Sequence, residues 1–343
     1  VSTLVLGPTN EAHEPPECRG LARDGVRLLV SRGEEDPVDT TFDQIGTLLV
    51  PGDLLVVNTT ATIPAALDGR LRNGEPVVVH LSGTLPGEMW LVEVRRPDRG
   101  ATVPLALDNP TDVALLAGGR IRLLAPFAES RRLWLALLDV GLPVLDYAAA
   151  HGRPIRYRHV PQEWPLSSYQ TVFAREAGSA EMPSASRPFS HELVTELVGR
   201  GILIVPLLLH TGVSSLEGGE APYPERYRVP GTTAEAVNSI RQGGGRVIAA
   251  GTTVVRALAT VTDAHGVVRP GHGWTDVIVS PGHPVLSVDG LLTGWHEPES
   301  SHLQMLEAFA GPGPLAAAYA QALELGYLWH EFGDSHLILR DFS

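Results

Sequence analysis

Lysine is absent from the 343 residues, so all 26 basic side chains are arginine. Without an amine side chain there is no pyridoxal Schiff base, no Walker A lysine and no kinase-type phosphate lysine. Cysteine occurs once, at Cys18. One thiol cannot make an internal disulfide, a zinc ribbon or a Cys-ligated iron–sulfur cluster. Long apolar runs are missing too: the densest, residues 201–209, is interrupted by Pro206 and falls well short of the ~20 residues of a membrane span. The opening residues 1–9 carry no basic stretch of the secretory kind. A cytoplasmic protein with no membrane partner is expected.

What is present describes an ordinary folded protein, with 43% hydrophobic and 19% charged residues. The 39 acidic residues leave a net charge of −13, a field that repels phosphate and makes any nucleic-acid contact depend on a local basic patch.

Short apolar strands are expected at 26–30 and 53–57, the second introduced by the turn Pro51-Gly52-Asp53. From 63 to about 144 the texture becomes all-β, with short pieces at 77–81, 89–94, 101–107, 120–124 and 132–138 between Gly, Pro and Asp turns. Helices then alternate with buried strands: helix 190–200 capped by Ser190, strand 202–209, helix 232–242, strand 246–250, helix 252–260, and a late alanine-rich helix 315–325 before Gly326. The pattern predicts an α/β fold with a mostly parallel sheet and an inserted all-β barrel. The division is 1–62 and 151–343 for the α/β part and 63–150 for the barrel.

Four segments carry candidate chemistry. In the run from Gly243 to Arg256 a strand passes through Gly251-Thr252-Thr253 into a helix, leaving N–H groups and hydroxyls suited to an anion, with Arg256 one turn on. The alternative is a simple helix cap. His210 follows a buried strand at its carboxyl end, where α/β sheets collect ligands, and is either a proton-transfer group or a structural histidine. Trp295-His296-Glu297 offers an aromatic surface and proton-transfer groups, or a tryptophan that plugs the core. His296-Glu297 lacks the second histidine of a zinc-protease motif, and no other metal-ligand spacing occurs. The run Arg153–His159, with three arginines and Tyr157, is either an RNA contact or a solvated loop.

Taken in order, several strings resemble the S-adenosylmethionine:tRNA ribosyltransferase-isomerase family of queuosine biosynthesis. They are Pro51 to Asn58, Tyr169 to Ala174 with Gly178-Ser179, Arg246 to Arg256, Val288 to Thr293, Ala308 to Gly311 and Phe332-Gly333-Asp334. The resemblance implies an enzyme that moves the ribosyl part of S-adenosylmethionine onto the aminomethyl group of a 7-deazaguanine base in tRNA. Rearrangement to an epoxycyclopentanediol follows, adenine and methionine are released, and no metal is required. Polar motifs depart from the family pattern. Asn58-Thr59-Thr60-Ala61 replaces Asn-Asp-Thr-Arg, Pro188 stands where the family has histidine before Phe189, and Tyr223 stands where it has another.

On that resemblance the carboxylate end of S-adenosylmethionine is expected near Thr252, Thr253 and Arg256. His210, Glu225 and His296 are the expected proton-transfer groups, and Phe189 and Trp295 the base-stacking surfaces. Two alternatives stand beside it: a paralogue using a small-molecule acceptor, and a non-catalytic nucleoside-binding protein.

Overall fold

The computed structural model describes residues 10–98, 101–128, 130, 132–213, 223–283, 285–296 and 302–340. The expected turn before the second strand closes through Asp53 N–H donating to the Val50 carbonyl, with Gly52 at φ +93. From there Leu54–Asn58 runs fully buried through the middle of a nine-stranded sheet. Its residues 54–57 can all be apolar because helices cover both faces of the sheet.

The four central strands, Leu203–Leu209, Leu54–Asn58, Val247–Ala250 and Gly290–Gly294, pair in parallel. The flanks are mixed: Ser335–Leu339 runs antiparallel to Gly290–Gly294 but parallel to Arg27–Arg32, while Glu225–Val229 and Gly271–Thr275 add antiparallel strands at one side. The expectation of a parallel sheet therefore describes its centre.

Between Leu54–Asn58 and Leu203–Leu209 in chain order lies the second sheet. Ala66–Leu71, Pro76–Thr84, Trp90–Asp98, Leu133–Asp139, Arg120–Pro126 and Asp112–Leu115 close into a six-stranded antiparallel barrel, and Ala101–Pro104 pairs with Trp90–Asp98 outside the ring. Alternation fills the barrel, as in Ala66–Leu71, whose inward residues include Leu67 and Gly69. Val113 Cγ1 lies 2.6 Å from where a Cβ on Gly69 would stand.

Helix starts follow local chemistry. Ser190 Oγ accepts the N–H of Leu193 at 3.1 Å and opens His191–Gly199. The helix Thr252–Val261 buries Val254, Val255, Ala257 and Leu258 completely, each large aliphatic side chain contributing roughly 1.5–3 kcal/mol. Gly251 before it sits at φ +107, a conformation reserved for glycine. Arg246 and the 1%-exposed Asp53 form a bidentate pair that ties the start of one parallel strand to its neighbour.

No helix among the described residues is long and apolar enough to cross a membrane.

Candidate active site

The parallel strands end on one side in polar residues. At the end of Leu54–Asn58 the buried Asn58 amide donates to the Leu209 carbonyl at 2.8 Å and to Thr253 Oγ1 at 3.3 Å, joining two strand ends to the helix start. Beyond them opens a cavity of about 570 Å³, large enough for a nucleoside with an extended substituent.

Thr252, Thr253, Glu225, Arg256, Trp295 and His296 line it together. Arg256 is not a lone cation: its Nη1 is paired with Glu225, its Nε donates to the Val277 carbonyl at 3.2 Å, and Glu225 also accepts the Gly212 N–H at 2.8 Å. Glu225 is thus partnered by arginine and a backbone N–H and does not stand alone. His296 Nε2 lies 3.2 Å from Thr293 Oγ1, and its carbonyl accepts from Tyr319 and Trp329.

Three expected residues are placed differently. His210 does not line the cavity; its Nδ1 meets Thr60 Oγ1 at 2.8 Å and its Nε2 lies 3.8 Å from Glu176. Its ring occupies the space a Cβ on Gly178 would need, 2.6 Å from that point. Burial pulls the imidazole down to about 4, against the opposing charge of Glu176, which keeps it neutral at pH 7. Phe189 offers no stacking face: it is fully buried, edge-on to Phe42 at 5.0 Å and to Phe173 at 5.3 Å. The residue is core because helix His191–Gly199 begins immediately after it and packs on the same cluster. Trp295 is 1% exposed, stacked on His336 at 4.7 Å and ringed by Tyr319, Tyr327 and Trp329. It plugs the core and reaches the cavity as part of its wall. Its Nε1, like Thr211 Oγ1 on the same wall, is buried without a hydrogen-bond partner among the described residues. Glu297 lies outside the described residues, as do positions 214–216.

The wall also contains Tyr157, His159, Glu181, Tyr223, His330 and Glu331. Tyr157 and His159 belong to the basic run, whose arginines turn elsewhere: Arg153 pairs with Asp68, Arg158 with Asp98 at 3.2 Å, and Arg156 donates to the Pro161 carbonyl. Glu181 has no local motif; His330 and Glu331 stand directly before the Phe332-Gly333-Asp334 string. Tyr223 is no neutral-pH proton carrier, because burial and then Glu225 push its hydroxyl well above the ordinary value. No group of three or more His, Cys, Asp or Glu among the described residues is arranged to hold a metal.

The family model described as "Queuosine biosynthesis protein" matches residues 4–338. The chain belongs to that family. It is 36% identical to the S-adenosylmethionine:tRNA ribosyltransferase-isomerase of Moorella thermoacetica, over 97% of each chain, and 34% identical to that of Geobacter sulfurreducens, over 95% of this chain and 97% of the other. In three dimensions it is similar to the crystal structure of the S-adenosylmethionine tRNA ribosyltransferase of Thermotoga maritima. The TM-score is 0.54 at 26% identity, covering 98% of this chain and 99% of the other. Family membership accounts for the scaffold motifs. Asn58, Gly178 and Gly251 all sit at strand ends or close approaches that the fold requires.

Proposed function

We propose that the cavity binds S-adenosylmethionine and that the enzyme transfers its ribosyl group to the aminomethyl group of a 7-deazaguanine base in tRNA. Isomerisation to the epoxycyclopentanediol follows, with release of adenine and methionine. The observation that carries this reading is the Arg256–Glu225 pair beside the start of the helix Thr252–Val261, on one cavity wall. The methionine end of the ligand is a zwitterion. Arg256 and the N–H groups at Thr252 and Thr253 match its carboxylate, and Glu225 matches its ammonium. His296 is the candidate to take a proton beside the sulfonium.

The names of the relatives support the same chemistry. On this reading 63–150 is an inserted domain, supported by the closed barrel between Ala66 and Asp139, and the protein works in the cytoplasm. Contact with tRNA would rest on local arginines, since the net charge is −13.

The test is adenine release from S-adenosylmethionine with and without tRNA carrying the aminomethyl base. Release that depends on that tRNA is the expected result. Release without RNA would point to a small-molecule acceptor, and tight binding without release to a nucleoside-binding protein.

A further inference from the structure

Three rings stack in succession along the cavity wall. Tyr157 and His159 are 6.1 Å apart at 14°, and His159 and His330 3.9 Å apart at 13°. Each has a carboxylate at its edge: Tyr157 donates to Glu181, His159 Nε2 lies 2.7 Å from Glu331, and His330 Nε2 is 3.9 Å from Glu11. His330 holds φ +73, a backbone region rare for residues other than glycine and kept where the surroundings fix a side chain. Pro188 lines a narrow crevice together with His330 and Glu331.

We propose that His159, oriented by Glu331, is the acid that protonates departing adenine, an inference that rests on the ribosyl transfer proposed above. The C1′–N9 bond breaks with its electron pair leaving on adenine, while a lone pair of the ribose ring oxygen forms a second bond to C1′. The Nδ1 proton of the His159 imidazolium passes to a ring nitrogen of that adenine, and a neutral imidazole remains, recharged from solvent after release. A carboxylate accepting from Nε2–H favours the imidazolium. The groups around His159 divide the charge accordingly. Burial would raise Glu331, but the hydrogen bond and charge of His159 hold it net below the ordinary range. Burial, then the charge of His159, pulls His330 down to about 4, so the stacked pair carries at most one positive charge at neutral pH. Tyr157, Glu181, Glu11 and His13 also stand around the stacked rings, with His13 Nδ1 at 2.6 Å from the His159 carbonyl.

The experiment is kcat for adenine release against pH, with S-adenosylmethionine affinity measured by calorimetry. His159→Gln should lower kcat about 100-fold or more at unchanged affinity. Glu331→Gln should move the alkaline limb of the pH profile to lower pH, and Glu331→Asp should restore it. An unchanged limb in Glu331→Gln, or rate and affinity falling equally in His159→Gln, overturns the assignment. A readout free of turnover is the imidazole proton resonance that disappears in His159→Gln. It should titrate at lower pH in Glu331→Gln than in the unsubstituted protein, and an identical titration overturns the pairing. Failure of the unsubstituted protein to bind S-adenosylmethionine would instead sink the proposed function.

Discussion

Asn58 and Leu209 exchange two hydrogen bonds through one side chain: the amide donates to the Leu209 carbonyl at 2.8 Å, and its oxygen accepts the Leu209 N–H at 3.1 Å. The side chain continues the pairing of two parallel strands past the point where their backbones diverge. It also reaches Thr253 at the helix start. Asn58→Ala strands a buried donor and a buried acceptor. The expected loss is on the order of 3 kcal/mol, read by urea unfolding, and a loss below about 1 kcal/mol would show that the bridge is dispensable.

Arg256→Ala should weaken S-adenosylmethionine binding by on the order of 2 kcal/mol, the worth of a charged contact. Because Glu225 is its partner, Glu225→Gln combined with Arg256→Ala should cost less than the two losses added. Additive effects in calorimetry would show that the two do not grip one zwitterion.

Acid should destabilise the protein through histidines that are held neutral. Burial depresses His210 to about 4 and His336 to about 3 from an ordinary 6.5. A depressed folded value means that the unfolded chain takes up the proton first. This contribution is complete above pH 6.5 and is lost as pH falls towards the folded values, at about 1.4 kcal/mol for each pH unit crossed by each histidine. Thermal melting of His210→Gln should fall less steeply over that window than melting of the unsubstituted protein. Parallel curves would contradict the depressed value.

Phe189→Ala should behave as a core truncation, costing about 3–5 kcal/mol, while Phe189→Leu should keep S-adenosylmethionine affinity intact. A selective loss of affinity in Phe189→Leu, with melting unchanged, would return Phe189 to the ligand site.

Periodicity was readable where a segment buries one face or all of itself. Ser190 as a cap, the strand ending at Asn58 and the helix after Gly251 all stand close to where pattern puts them. Glu225–Val229 was hidden because its buried positions alternate with arginines, although that two-residue period is itself a strand signal. Gly290–Gly294 was hidden by the glycines at its ends, which read as turns. Of the site, the helix start and Arg256 were legible because a glycine, two threonines and an arginine lie within six consecutive residues.

Composition and local pattern determined that this chain works without lysine, disulfide or thiolate cluster, and that it folds as α/β with a β insertion, since residue inventory and period need no partner. Only the tertiary structure decided which polar groups share the cavity. Residues 159 and 331 meet through chain folding, and Phe189 and His210 turn into the interior because their neighbours in space claim them. Such contacts depend on segments that the linear order keeps far apart.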